Sequence, residues 1–320
     1  MTAANPDVAQ TVEEYMSGWL LGVKKNELKP TSYERLSQVL RYQIFPAIGI
    51  IPIAELSSMD VRRLINSLRD EGKSYSVIKK VYNALNACIK TGVIRGELLR
   101  NPCLGVSLPK ALSRVTPQKI KFYTEDEIEK ICKEATRTFS NGKNCYRLGW
   151  AVVLLLYTGM RRSELWALEW DEKDIREKVI RIHKNTVEVR GKLINQDTTK
   201  TRNGNRDIPL CDMAKESLKH LRETTGNETY VMTTKKGKRV SFRNFDRTFR
   251  DICRACGVPA NGVHSLRHSF ASMLFAKGCD AQVVCELMGH SDPAITRSIY
   301  IHVIPQQKHR AIDSLNEFIF

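Results

Sequence analysis

The sequence predicts a mainly α-helical protein of two domains: an all-helical N-terminal domain and a mixed helical C-terminal domain with a small antiparallel β-sheet. Three observations lead to this prediction. The chain has 320 residues, enough for two domains of ordinary size. Apolar residues recur at helical spacing through most of the chain. Stretches that alternate between apolar and polar residues, as strands do, occur together between residues 179 and 210.

Residues 1–10 are expected to be a disordered leader, and residues 11–110 to form the helical domain. Within that domain, apolar side chains at three- and four-residue spacing indicate four helices. A capping-box pattern, Thr31 with Glu34, predicts that Thr31 caps the second helix. The expected helix starts are Thr11, Thr31, Ser57 or Ser58, and Ser76.

Residues 111–121 contain a proline and basic side chains without periodicity, so we expect an exposed linker. Residues 122–320 form the C-terminal domain, with 303–320 as its tail. Residues 146–157 are apolar nearly all round, which predicts a central buried helix. Strands are expected at 179–182, 186–189 and 206–210, and later helices at 212–222, 242–256, 265–277, 280–288 and 292–300.

Composition narrows the class of partner. The formal net charge of +16 favours a polyanion. Nine cysteines, an odd number scattered along the chain, indicate reduced thiols in a cytoplasmic protein. Cys253 and Cys256 have metal-like spacing, but nothing in the sequence completes a site, so we expect structural thiols and no metal. No transmembrane segment or signal peptide is indicated.

The last part of the chain places Tyr300 between His290 and His302. A phenol among cationic and imidazole groups suits attack on a phosphodiester, although for such a tyrosine taken alone an ordinary surface position is the better interpretation. Far upstream, Gly159 permits a sharp turn into a helix that begins near Arg161 or Arg162, where arginine and free N–H groups suit a phosphate. Arg162 is expected to pair with Glu164 on a solvated face.

Three motifs resemble the boxes of the tyrosine recombinase, or phage-type integrase, family. They are Thr-Gly-Met-Arg-Arg-Ser-Glu-Leu at 158–165, His-Ser-Leu-Arg-His at 264–268, and Leu-Met-Gly-His at 287–290 followed by Tyr-Ile-His at 300–302. The N-terminal domain is similar to the family's core-binding domain. The resemblance therefore implies a core-type DNA-binding domain before a catalytic domain of the tyrosine recombinase fold.

The resemblance also implies roles for individual residues. Tyr300 would attack the scissile phosphate, and Glu164 would orient Arg161 and His264. Lys200 would protonate the leaving 5′ oxygen, with Arg202 and Lys192 as rivals. The implied catalytic set is Arg161, Lys200, His264, Arg267, His290 and Tyr300. The candidate DNA-contacting residues are Lys24, Lys25, Lys29, Arg35, Arg41, Lys79, Lys80, Arg114, Lys119, Lys121 and Arg202.

The implied function is site-specific recombination of double-stranded DNA through a 3′-phosphotyrosine, without a cofactor, by a tetramer on synapsed sites. An accessory directionality factor is a further implied partner, and the expected location is the cytoplasm, at the nucleoid. We expect integration or excision of a mobile element. The alternatives are chromosome or plasmid dimer resolution, a type IB topoisomerase, and an inactive DNA-binding homologue. The tail is expected to pack on a neighbouring subunit, with docking on its own domain as the alternative.

Overall fold

The computed structural model describes residues 10–109, 121–171, 173–189, 191–196, 204–224 and 229–290. The chain divides into two compact units, Met1–Gln118 and Lys119–Phe320. Each unit has a hydrophobic core of its own. The predicted helix at 292–300, most of the predicted linker and the tail lie outside the described residues.

The N-terminal unit is all helical, as predicted. Its first helix contains α1 and α2, joined by a π-helical turn at Leu20–Lys24, and its next helix continues from α3 through a second π turn at Leu40–Ile44 into α4. The α-helical bounds are Val12–Trp19 (α1), Lys25–Glu27 (α2), Pro30–Val39 (α3), Phe45–Ile48 (α4), Ser58–Asp70 (α5) and Tyr75–Ile94 (α6).

Capping chemistry explains where two of these helices begin. Ser57 caps α5 and forms a capping box with Asp60. The predicted cap at Thr31 is wrong, because α3 begins at Pro30 with Lys29 as its cap. Proline suits the first turn of a helix, where its missing N–H costs no hydrogen bond and its φ angle already fits.

The C-terminal unit is built around the buried helix that the sequence predicts. This helix, α8, spans Gly149–Thr158, and nine of its ten residues are buried. The other helices of the unit surround it or lead to the site described below. Their bounds are Glu125–Ala135 (α7), Arg162–Ala167 (α9), Asp212–Thr224 (α10), Phe242–Ala255 (α11), His264–Ala276 (α12) and Ala281–Met288 (α13).

Five short strands form two antiparallel sheets. The first sheet has the order β1–β2–β5, and its register pairs Ile180 with Ile208 and Ile182 with Arg206. The second is the hairpin β3–β4, which turns near Gly191. The strand bounds are Ile175–Arg176 (β1), Val179–Ile182 (β2), Asn185–Val189 (β3), Lys192–Gln196 (β4) and Arg206–Pro209 (β5). The sequence predicted β2, β3 and β5, and did not predict β1 or β4.

Tyr123 fixes the loop that leads into α12. Its backbone N–H donates to the Ser269 hydroxyl at 2.7 Å. Its own hydroxyl donates to the Pro259 carbonyl at 3.1 Å and accepts from the Asn261 N–H at 3.0 Å. These contacts hold the start of the unit against the helix that carries His264 and Arg267.

Candidate active site

The first part of the site is the turn between α8 and α9. Gly159 ends α8 in the left-handed conformation, with φ of 60°. A Cβ atom built at this position would lie 2.2 Å from a ring carbon of Phe270 on α12. Only glycine therefore fits both the backbone conformation and the close approach of α12.

Arg161 and Glu164 are joined at the start of α9. The backbone N–H of Arg161 donates to Glu164 Oε2 at 2.7 Å, and the Arg161 guanidinium donates to Glu164 Oε1 at 2.8 Å. The Glu164 side chain is 2% exposed, whereas that of Arg161 is 37% exposed. The buried carboxylate thus fixes an arginine whose side chain still reaches solvent.

Arg162, the next residue, points to different partners. It pairs with Asp246, and its guanidinium lies 4.5 Å from the ring centroid of Phe242. The predicted pairing of Arg162 with Glu164 is therefore wrong, because Glu164 is occupied by Arg161 and Arg206. Of the two neighbouring arginines, Arg161 is the one that joins the site.

Arg267 lies on the first turns of α12 and is almost completely buried, at 2% exposed. Its guanidinium donates to the carbonyl of Gly159 at 2.8 Å and to the carbonyl of Met288. The same side chain therefore links the turn after α8 to the end of α13.

The C-terminal end of α13 is where three arginines converge. The helix stops at Gly289, which adopts φ of 62°. The last carbonyl groups of a helix have no partner within it and carry the negative end of the helix dipole, so they accept well from cations. Three successive carbonyls each accept from one guanidinium. The pairs are Arg206 with Leu287, Arg267 with Met288, and Arg161 with Gly289.

Glu164 is the anionic centre of this cluster. Burial by itself would raise the pKa of its carboxyl group, but the hydrogen bonds and charge of Arg206 and the charges of Arg161 and Arg267 lower that pKa to about 2. The carboxylate is therefore ionised throughout the neutral range. Among the described residues, the Glu164 side chain bonds to Arg161 and Arg206. It does not bond to His264, although the resemblance implied that Glu164 would orient that histidine.

Three histidines lie in the field of the same arginines. Desolvation, followed by the charge of Arg267, lowers the pKa of His264, and desolvation and the same charge lower the pKa of His290 to about 4. Desolvation and the charges of His264 and Arg267 lower the pKa of His268 to about 4. The rings of His264 and His268 pack edge to face, with their centroids 4.7 Å apart. These imidazoles are neutral at pH 7, so each can accept one proton and donate one N–H.

Arg206 is the site residue that the sequence prediction missed. It donates to both oxygens of Glu164, and its side chain is only 6% exposed. It opens β5, two residues before the buried Ile208, and residues two apart on a strand face the same side. An arginine on the inward face of a strand is the signal that could have marked Arg206 as unusual, although it does not reveal the partners of the residue.

The remaining predicted residues are paired with an acidic side chain, exposed, or outside the described residues. Lys24 pairs with Glu27. Lys192, at the start of β4, is exposed. The residues Lys25, Lys29, Arg35, Arg41, Lys79, Lys80 and Lys121 are exposed. Outside the described residues lie Arg114, Lys119, Lys200, Arg202 and Tyr300.

In the described part of the chain, no group of three or more His, Cys, Asp or Glu side chains is arranged to hold a metal ion. None of the helices in that part combines the length and the apolar character needed to span a bilayer.

Comparison with known proteins gives the same family for both units. Residues 121–307 match the model described as "Phage integrase family", and residues 11–69 match "Phage integrase, N-terminal SAM-like domain". A tyrosine recombinase XerC-like protein of Caldanaerobacter subterraneus subsp. tengcongensis is 31% identical, over 96% of this chain and 83% of the relative. The ICEBs1 integrase of Bacillus subtilis is 24% identical, over 91% of this chain and 79% of its own.

Solved structures show the same fold. The Tn1549 transposon integrase in complex with a circular intermediate DNA aligns with a TM-score of 0.73 at 19% identity, over 94% of this chain and 99% of that one. A lambda integrase dimer bound to a COC′ core site aligns with a TM-score of 0.68 at 17% identity, over 91% and 95% of the two chains. The chain therefore belongs to the phage integrase family and is a site-specific recombinase of the tyrosine type.

Proposed function

We propose that this recombinase cleaves and rejoins double-stranded DNA with Tyr300 as the nucleophile and with Arg161 and Arg267 as the groups that bind the scissile phosphate. The observation that carries the proposal is the convergence of both arginines on the end of α13, immediately before His290. A guanidinium has five N–H donors. Arg161 donates to Glu164 and Gly289 with its side chain and remains 37% exposed, so it has donors for a phosphate.

In the proposed reaction the Tyr300 oxygen forms a bond to phosphorus, and the bond between phosphorus and the 5′ oxygen breaks. The products are a 3′-phosphotyrosine and a 5′-hydroxyl, which then attacks the phosphotyrosine of the partner strand. Each step replaces one phosphodiester with another, so nucleotide hydrolysis is not needed. The fixed positive charge of the arginines stabilises the negative charge that builds on the phosphate oxygens.

Protons are moved by the histidines and by a lysine. His264, neutral at pH 7, would accept the Tyr300 proton or bond the phosphate, and His290 would donate an N–H to a phosphate oxygen. We propose Lys200 as the acid that protonates the leaving 5′ oxygen. Arg202 and Lys192 remain the rivals for this role.

We further propose that residues 11–110 are the core-type DNA-binding domain, 111–121 the basic linker and 122–320 the catalytic domain. The exposed basic side chains of the N-terminal unit would contact the DNA backbone, whose phosphates attract lysine and arginine at any sequence. Removing one such contact is expected to weaken DNA binding and to lower its salt dependence.

Assembly is proposed as a tetramer on two synapsed sites, with the tail packed on the neighbouring subunit. The lambda integrase tetramer bound to a Holliday junction, which shares the fold, supports the proposed tetramer. Deleting residues 308–320 should leave binding to one site intact and weaken the two-site complex in gel shifts. Unchanged two-site complexes would mean that the tail docks on its own domain. An accessory directionality factor is a further proposed partner.

The biological role we propose is integration or excision of a mobile element, which the similarity to the ICEBs1 integrase supports. Dimer resolution is the second candidate, because the XerC-like relative is 31% identical. The two roles are separated by comparing host cells with and without the gene for this recombinase. If a PCR product across the junction of a circular element forms only when the gene is present, the mobile-element role is supported. If chromosome dimers accumulate when the gene is absent, dimer resolution is supported.

The chemical proposal is tested with a nicked suicide substrate that traps the cleaved strand. The wild type should form a covalent protein–DNA adduct, and Tyr300→Phe should bind DNA normally and form none. A mutant that forms as much adduct as the wild type would refute the assignment.

A further inference from the structure

Arg206 donates hydrogen bonds to Glu164, Leu287 and Gly204 from one planar guanidinium. One terminal nitrogen donates to Glu164 Oε1 at 3.1 Å, and the other donates to Glu164 Oε2 at 2.7 Å. The Nε atom donates to the Leu287 carbonyl at 2.6 Å. This fork geometry is specific to arginine, because its donors lie in one rigid plane.

The first consequence concerns charge. Glu164 is buried and ionised, and its side chain bonds to two arginines, Arg161 and Arg206. A buried carboxylate needs compensating charge. Without Arg206, Glu164 would be compensated mainly by Arg161, and the net positive charge around the phosphate would fall by one. Arg206 therefore offsets the carboxylate, so that the charge of Arg161 is available to the phosphate.

The second consequence concerns position. The Leu287 carbonyl that Arg206 holds is followed by those of Met288 and Gly289, which hold Arg267 and Arg161. Arg206 thus fixes the first of three successive carbonyls at the end of α13. Because Arg206 is paired with Ile182 of β2, the same hydrogen bond also holds the start of β5 against the C-terminal end of α13.

We propose that Arg206 is a positioning residue for strand cleavage: its guanidinium holds Glu164 in place beside Arg161 and fixes the carbonyl end of α13. This inference rests on the proposed function, in which Arg161 and Arg267 bind the scissile phosphate. The Arg206 side chain is only 6% exposed, so in this proposal it acts through Glu164 and α13 and not by direct contact with the DNA.

Two variants and one control separate this role from simple structural support. Arg206→Met keeps an unbranched side chain and removes both the charge and the fork. Arg206→Lys keeps the charge, but one ammonium cannot reach Glu164 and Leu287 with the geometry of the fork. Arg181→Met is the matched control, because Arg181 lies on the adjacent strand β2 in an exposed pair with Asp207.

The variants are compared by DNA affinity in gel shifts, by thermal unfolding, and by the single-turnover cleavage rate at saturating protein on the nicked substrate. Cleavage is measured on a normal scissile phosphate and on a neutral methylphosphonate at the same position. The methylphosphonate lacks the charge that the arginines must balance, so an electrostatic defect should shrink on it. A defect of general folding should affect both substrates equally.

We expect Arg206→Met to bind DNA like the wild type and to cleave the phosphate about 10- to 100-fold more slowly, as when a partner that orients an active-site group is removed. Its defect should be several-fold smaller on the methylphosphonate. The cleavage rate of Arg206→Lys should lie between those of the wild type and Arg206→Met, and the rate of Arg181→Met should equal that of the wild type.

The proposal is overturned if Arg206→Met cleaves within about twofold of the wild type, or if its defect is equal on the two substrates. Wild-type cleavage is the reference that keeps the two claims distinct. If the wild type forms no adduct, the proposed function fails. If the wild type cleaves and Arg206→Met cleaves equally well, the inference about Arg206 alone fails.

Discussion

The guanidinium of Arg267 donates to the carbonyl oxygen of Gly159 at 2.8 Å, across 108 residues of chain. The same guanidinium also donates to the carbonyl of Met288. The turn after α8 and the end of α13 are therefore held in place by one buried side chain. This relationship makes the site sensitive both to the shape of the arginine and to the backbone of Gly159.

Arg267→Lys is expected to be a severe change although it conserves charge. A lysine ammonium cannot hold two carbonyls from different elements in one plane and also present a fork to a phosphate. Cleavage should fall about 100- to 1,000-fold, the usual loss when a positioned donor is removed. The measurement is the single-turnover cleavage rate. Arg254→Lys, at an exposed position on α11, is the control and should match the wild type. Cleavage by Arg267→Lys within about threefold of the wild type would contradict the role.

Gly159→Ala should destabilise the fold more than Gly191→Ala does. Both glycines have positive φ, at 60° and 76°, so each alanine should lose about 1–2 kcal/mol from the left-handed backbone. Only at Gly159 does the added Cβ also meet the Phe270 ring, which adds about 1–3 kcal/mol of overpacking. Urea unfolding measures both free energies. Equal losses for the two variants would show that Phe270 yields without cost.

Lys200 is tested by changing the leaving group. Lys200→Ala should cleave normal DNA slowly, because the departing 5′ oxygen needs a proton. A 5′-bridging phosphorothiolate leaves as a thiolate without that proton and should restore cleavage. Lys192→Ala, which removes the rival at the start of β4, is measured in parallel and should cleave both substrates like the wild type. Equal defects of Lys200→Ala on both substrates would point to a structural role of Lys200, or to Arg202 or Lys192 as the acid.

The free energy of unfolding should fall as the pH drops from about 6.5 toward 4. The pKa values of His268 and His290 are lowered from 6.5 to about 4 in the folded protein. In this window the unfolded chain binds protons on these imidazoles and the folded chain does not, so acid favours unfolding. The carboxyl group of Glu164, with its pKa lowered from 4.5 to about 2, contributes stability that is lost mainly at lower pH, as the pH falls from about 4.5 to about 2. His290→Gln should flatten the slope, and an unchanged slope would refute the assignment.

Local patterns in the sequence were enough to predict much of the fold and part of the site. The apolar run at 146–157 predicted the central helix, because no polar face interrupts it. The arginine boxes pointed to Arg161 and Arg267, because each of these residues lies in a short motif of consecutive residues that can be recognised without the structure.

Features that depend on distant partners were not predictable in this way. Arg206 meets Glu164 across 42 residues and Leu287 across 81, and no local pattern reports such contacts. Arg162 finds Asp246 across 84 residues, so its assumed neighbour Glu164 was the wrong partner. β1 has two residues, too few for the alternation that marks a strand.

The central claim is that Tyr300 becomes covalently attached to DNA, and peptide mapping tests it most directly. Wild-type protein is reacted with the nicked substrate, and the adduct is digested with nuclease and trypsin. Cleavage after Arg297 and Lys308 releases residues 298–308, which contain one tyrosine. We predict that this peptide carries a nucleotide 3′-phosphate and that fragmentation places it on Tyr300. A nucleotide on Ser298 or on any other peptide, or an adduct of the same yield from Tyr300→Phe, would contradict the account.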